Sequence, residues 1–278
     1  MGYTRESKMN IYITALTNER YIPGVMALVR SLKEVQTKYN IAIMIPESRA
    51  DDLVKKVKEY GILKIEGVRI IIKPDVEIPV DVEIPNYYWK DTFFKLQASK
   101  CTEYEKIILL DCDQMAVKNL DHLFEKKHLT STTCGRCVHP DWISLSSGLL
   151  VIEPSVEFYE QLISCIKPAV NRRKQNGLNV GDQDVFQEVY PEWKNDSSLY
   201  ITENYNICWG WIDILCRKEG YSVKDFYMIH FPGKEKPWDN KKNYHWCIFI
   251  SYLFKGKLDK LLYKVKIWKK YRLLCERS

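Results

Sequence analysis

Over the first half of the chain, short apolar runs alternate with amphipathic stretches. Residues 11–15 (IYITA), 41–45 (IAIMI), 68–72 (VRIII) and 106–110 (KIILL) are continuous β-rich runs. A polar turn at 17–20 follows the first run, and a helix is predicted from there through Val35. Pro46 closes the second run, and a charged helix is predicted over 49–60. Continuous apolar strands separated by helices predict a buried, mainly parallel sheet in an α/β layer fold. Ligands of such sheets lie beyond the carboxyl ends of the strands, so chemistry is expected just after each run. Later the pattern predicts helices over 91–100, near 155–166 and near 182–189, with strands near 130–136 and 148–152. Residues 74–85 hold two tandem copies of Asp-Val-Glu-Ile-Pro, too short for a solenoid repeat, and read as a loop or edge strand. No Gly-, Ser- or Pro-rich linker interrupts the chain, which predicts one compact domain followed by a tail.

The most informative stretch follows the fourth run. Four apolar residues, Ile107 to Leu110, lead directly into Asp111-Cys112-Asp113. A carboxylate inside a buried sheet is costly, so both acids are expected at the strand's end, facing the crevice. Two acids there make an oxygen-rich site for a hard divalent cation. The alternative is one helix-capping Asp and one solvated turn Asp, and both readings stand on these residues alone.

Two other stretches carry candidate chemistry. Residues 228–238 run from a short apolar segment into His230, then through a Pro-Gly turn to Lys234 and Lys236. His230 offers an imidazole ligand, Gly233 permits close backbone approach to a phosphate, and Lys236 can neutralise diphosphate charge. A core histidine beside a solvated lysine turn is the competing reading. At 179–184, Asp182 and Gln183 sit at a predicted helix start, where Asp182 either caps the helix or faces a polar ligand with Gln183.

Charge and composition narrow the classes. The chain of 278 residues has a net charge of +6, but residues 241–278 hold eleven Lys or Arg against Asp259 and Glu276, so the body is mildly acidic. A nucleic-acid binder carries its basic patch on the folded body, so no nucleic acid is expected. The longest apolar run, residues 246–254, is nine residues, against about 20 needed to span a bilayer. Residues 255–278 read as a basic amphipathic helix that either docks on the domain or makes peripheral contact with a membrane surface. No apolar h-region follows Met1, and nine cysteines without paired spacing predict free thiols in the cytoplasm. Cys134 and Cys137 form a lone C-x-x-C without evident further zinc ligands.

Read together, six ordered segments carry a resemblance: ITALTNERY at 13–21, LLDCDQM at 109–115, LSSGLLVIEPS at 145–155, GDQD at 181–184, ENYNI at 203–207 and HFPGKEKPW at 230–238. The chain is similar in these to the glycogenin and galactinol synthase branch of the retaining glycosyltransferases of family 8, over about residues 9–240. The resemblance implies a GT-A fold, Rossmann-like, over 9–240, with 241–278 as a basic C-terminal extension. It implies Asp111, Asp113 and His230 as ligands of Mn²⁺, or of Mg²⁺, with Cys112 between them at the donor. Thr17, Asn18 and Tyr21 match a uridine-contacting segment, and Lys95 a donor-contacting lysine. Ser147 and Gly148 align with an Asn-Ser-Gly motif in which Ser146 replaces the Asn, and Asp182 and Gln183 match a pair beside the sugar. Gly233 and Lys236 match the phosphate-binding turn.

The expected activity is therefore retaining transfer of a hexose from UDP-glucose or UDP-galactose, with Asp182, Gln183 and Lys236 as catalytic candidates. The place of glycogenin's self-glucosylated tyrosine falls on Asp213, with Tyr221 and Tyr227 displaced from it, so a separate acceptor is expected: a glycan, protein or small molecule. A sugar-contacting Asp expected before Ser146 is missing, with Ile143 near its place and Asp141 upstream. Trp209-Gly210-Trp211 either stacks an acceptor sugar or packs in the core. The alternatives are a self-glucosylating primer protein, or a non-catalytic UDP-sugar-binding or membrane-associated scaffold. A homodimer is an expectation drawn from relatives.

Overall fold

The computed structural model describes residues 9–79, 81–82, 90–133, 135–239 and 258–276. Its centre is a six-stranded sheet made of β1 (Met9–Ala15), β2 (Asn40–Pro46), β3 (Val68–Lys73), β4 (Tyr104–Leu110), β6 (Ser131–Thr133) and β7 (Leu145–Ile152). The strand order is β3-β2-β1-β4-β7-β6. The first four strands are parallel, as the continuous apolar runs predict; β7 adds antiparallel to β4, and β6 antiparallel to β7.

Alternation along the strands divides the core into two layers. Ile11, Ile13, Met44, Ile107 and Leu109 face one side, with the 3-10 helix Asp91–Lys100, α3 (Val156–Gln175) and α4 (Asp182–Val189). Tyr12, Ile43, Ile45, Ile108 and Leu110 face the other, under α1 (Ile22–Glu34) and α2 (Ala50–Glu59). Pro23 starts α1, where its missing N–H costs nothing, and the Ser155 side chain accepts a hydrogen bond from the Phe158 N–H to start α3.

A smaller sheet completes the molecule, in the order β5-β9-β8, from β5 (Gln114–Ala116), β8 (Ile207–Cys208) and β9 (Met228–His230). Around it lie α5 (Ile212–Lys218) and α6 (Leu258–Cys275), joined in a third cluster with Ile229, Phe231, Trp209, Trp268 and Tyr271.

The C-terminal segment takes the docking alternative of the two read from its sequence. Helix α6 lays Leu261, Ile267, Trp268, Tyr271 and Leu274 onto the body, all of them buried. Arg30 of α1 donates to the Leu274 and Glu276 carbonyls, and Lys270 pairs with Glu34 at 2.6 Å. The apolar side proposed for a membrane is therefore occupied by the protein itself; Leu262 (57% exposed) and Leu273 (63%) remain outside. Among the described residues no helix is long and apolar enough to cross a membrane. Cys134, the 246–254 run and part of the repeated pentapeptide (80 and 83–85) lie outside the described residues; the rest of that repeat forms no strand.

Candidate active site

The site lies where β4 ends. Asp111 follows the last buried residue of the strand, and its backbone N–H is held by the side-chain oxygen of Gln114 at 3.0 Å. Gln114 in turn donates to the Gly148 carbonyl and to Asn206 Oδ1, each at 2.7 Å. This network fixes the turn carrying both acids, because a buried amide with satisfied partners has little freedom.

His230 arrives from 117 residues further on by backbone pairing. Strand β9 runs antiparallel to β5 and parallel to β8, setting His230 opposite Gln114 and beside Cys208. Its Nε2 stands 3.1 Å from Asp113 Oδ1 and 3.6 Å from Asp111 Oδ2. One ligand atom from each of the three residues lies within 4.8 Å of the others. Two carboxylates and an imidazole are a donor set that suits a divalent cation such as Mn²⁺.

Two buried lysines balance the acids. Lys95, 7% exposed on the 3-10 helix, places Nζ 2.6 Å from Asp111 Oδ1 and 2.6 Å from Asp182 Oδ2. It also donates to the Ser147 carbonyl at 3.2 Å. Burial works against the Lys95 ammonium, but the Asp111 and Asp182 carboxylates outweigh it and keep the group charged. Lys236, 2% exposed, donates to Asp113 Oδ2 at 2.5 Å and to the Phe231 carbonyl at 3.0 Å. Burial would raise the Asp113 carboxyl, yet His230 and Lys236 together hold it well below the usual carboxylate range.

The remaining predicted residues divide into those at this centre and those at its edge. Gln183 accepts from the Ser147 N–H at 3.3 Å, and the Asp182 N–H donates to Thr92 Oγ at 3.1 Å, so both stand beside Lys95. Gly148 is held tight: a Cβ there would meet Asn206 Nδ2 at 2.7 Å and Asp111 Oδ2 at 3.2 Å. Tyr21 places its ring 5.4 Å from Lys236 Nζ and 6.0 Å edge-on from Trp238. Thr17 and Asn18 lie just after β1, where the Thr17 carbonyl accepts from Arg49 and Asn18 caps a short 3-10 turn. Gly233 has a φ of +100° that favours glycine, with open space where a Cβ would stand. Cys112 contributes its backbone: its carbonyl presses on Gly24 at 2.5 Å from a built Cβ. Burial first, then Asp113 and Asp111, push its thiol well up, so it stays protonated and is no thiolate ligand.

Gln114 and Asn206 are functional residues that the residue-level reading did not single out, although both lie inside the matched segments LLDCDQM and ENYNI. Asp141 is exposed and Ile143 half-buried, and neither supplies an ion pair at the centre. Asp213 pairs with Lys264 of α6 at 3.5 Å, and Tyr227 stacks on Tyr205 at 4.1 Å. Trp209 is buried against Trp268, which settles its role as packing.

The comparisons with known proteins agree with this architecture. A mannosyltransferase family model (Mannosyl_trans3) matches residues 11–134. A crystal structure of an active-site mutant of LgtC superposes with a TM-score of 0.57 at 13% identity, covering 89% of this chain and 96% of that one. The fold is GT-A. An uncharacterised protein of Acanthamoeba polyphaga mimivirus is 27% identical over 246 residues, covering 82% of each chain. Glycogenin-1 of Mus musculus is 25% identical over 236 residues, covering 84% of this chain and 66% of its own.

These likenesses support a glycogenin-like glycosyltransferase of family 8. This glycogenin-like chain spans no more than about two thirds of the mouse protein's length.

Proposed function

We propose that the protein transfers a hexose from UDP-glucose or UDP-galactose to a separate acceptor, with retention of configuration, using Mn²⁺ or Mg²⁺. The observation that carries this reading is the meeting of Asp111, Asp113 and His230 within 4.8 Å. The cation these three would hold acts as a Lewis acid on the departing diphosphate. Thr17, Asn18 and Tyr21 line the way to the lysine turn and are assigned to the uridine. Lys236 is assigned to the diphosphate, exchanging its contact with Asp113 for a phosphate oxygen, with the Gly233 backbone beside it. Both stabilise charge where it develops.

The sugar is assigned to the side formed by Lys95, Ser147, Gly148, Asp182 and Gln183. The Asp182 carboxylate is already neutralised by Lys95 at 2.6 Å, which weakens it as a nucleophile. This supports front-face attack, in which the leaving phosphate oxygen takes the acceptor's proton, over a double displacement through Asp182. Asp213, tied to Lys264, supports a separate acceptor over self-glucosylation. The seven described cysteines are all free, in keeping with a reducing compartment.

The test is UDP release from a panel of UDP-sugars with Mn²⁺, repeated with a chelator. Release from UDP-glucose or UDP-galactose that the chelator stops is the expected outcome. Absence of release from every UDP-sugar, or release indifferent to the chelator, refutes the reading.

A further inference from the structure

The loop between β6 and β7 carries an aromatic cluster that no step above uses. Trp142 is 43% exposed, an unusual amount for so large an apolar ring. His139 braces it, with ring centroids 4.1 Å apart. Gly135, at a φ of +131°, lies against two indoles at once: a Cβ there would meet Trp211 Cζ3 at 2.8 Å and Trp142 Cε3 at 3.1 Å. The chain has brought one indole from the β6–β7 loop and one from the turn after β8 onto the same glycine. Beside Trp211, Gly210 is exposed and open, with no heavy atom within 4 Å of a Cβ position.

Both indoles belong to chain segments that lead into the candidate donor site. Trp142 precedes Ser147 by five residues, and Trp211 follows Cys208, the partner of His230, by three. At about 3.5 Å per residue at most, their Cα atoms lie within roughly 18 Å and 11 Å of those neighbours. An acceptor that approaches the anomeric carbon along these segments meets the two indoles.

The chemistry of the two indoles selects the acceptor class. A rigid indole presents a flat apolar face at little entropic cost, and an exposed aromatic bordered by polar groups marks a binding surface. Asp141, exposed and next to Trp142 in the chain, adds an acceptor fork. A pyranose has that pattern in reverse, a C–H face ringed by hydroxyls. A lipid chain would need a continuous apolar groove instead.

Resting on the transferase reading, we propose that Trp142 and Trp211, meeting at Gly135, form the platform on which a pyranose of the acceptor stacks. The acceptor is therefore a saccharide, free or as the end of a glycan. The test uses the full chain with Mn²⁺ and the active UDP-sugar, and maltose and lactose as acceptor probes. One of the two disaccharides should accelerate UDP release. Trp142→Ala should raise its KM at least 10-fold against less than 2-fold for the donor, and Trp142→Phe should restore most of the loss. No acceleration by either disaccharide, an unchanged acceptor KM in Trp142→Ala, or equal rises in both KM values overturns the platform. Should the wild type release no UDP at all, the transferase reading fails instead. The platform is then judged by tryptophan fluorescence: saturable quenching by maltose or lactose that Trp142→Ala abolishes supports it, and its absence refutes it.

Discussion

Gln114 lies directly opposite His230 in the antiparallel pairing of β5 with β9. The glutamine that secures the Asp111 turn thus faces the imidazole that completes the cluster. Backbone register, rather than a chain of side-chain contacts, sets the distance between them, since one residue's slip would turn His230 to the other face of the strand.

Asp113→Asn removes a carboxylate that both His230 and Lys236 engage. Transfer should fall by more than about 100-fold, beyond the 10–100-fold typical of losing an outer partner of a metal site. Far-UV circular dichroism should be unchanged. Near wild-type turnover would remove the metal from the mechanism.

Lys236→Met leaves the Asp113 carboxylate buried beside His230 without its ammonium. Without metal, urea melts should show a loss of about 3–5 kcal/mol, the usual consequence of breaking a buried pair. Saturating Mn²⁺ should recover much of it, since a cation then takes over the ammonium's place. Equal losses with and without Mn²⁺ would contradict this.

Gly148→Ala pushes a methyl into Asn206 and Asp111. Stability should drop by about 1–3 kcal/mol, as overpacking does. Mn²⁺ affinity, read by calorimetry, should weaken about 10-fold, because Asn206 holds Gln114 and Gln114 holds the Asp111 turn.

His128 gives the fold a pH dependence away from the site. Its Nδ1 accepts from the Glu153 N–H at 3.0 Å, a bond only an unprotonated nitrogen can make. Burial, the main cause, holds its pKa below the usual histidine value, so the unfolded chain binds the proton more readily. Stability is full above about pH 6.5 and is lost as pH falls through the range below it. Thermal melts from pH 7.5 to 5.5 should show this fall, and His128→Gln should reduce the slope by up to one proton.

Tyr271 seats the lysine turn from beneath. Its ring lies 4.4 Å from Phe231 and stacks 6.0 Å from Trp238, residues on either side of Lys236. Its hydroxyl is buried without a hydrogen-bond partner among the described residues. Tyr271→Phe should therefore be within about 1 kcal/mol of wild type or above it. Tyr271→Ala should lose about 3–5 kcal/mol. Melts of the two variants distinguish a packing seat from a role for the hydroxyl.

The central sheet was legible because buried parallel strands write themselves as unbroken apolar runs. The Asp111–Asp113 turn was legible for the same reason, standing at the end of such a run. The smaller sheet was not: β5 and β9 are three residues each, too short for any period to show. Only the ordered matches linked His230 to the acids in advance. Helix α6 left docking and membrane contact both open from sequence, because Lys264, only 3% exposed, sits within its docking face, paired with Asp213 and 4.5 Å from the Trp209 ring. A buried lysine breaks the apolar stripe that would have announced the contact. Trp142 and Trp211 could not be paired from sequence, since nothing along the chain connects the two loops that meet at Gly135.

Translation builds a polypeptide from its amino end, and early portions begin to fold first. The two acids and the imidazole all precede residue 231, whereas Tyr271 emerges some forty residues later. A nascent chain thus holds the residues of its cluster before the aromatic support of the Lys236 turn exists. Completion of the cluster's surroundings would then come late, when α6 docks onto α1.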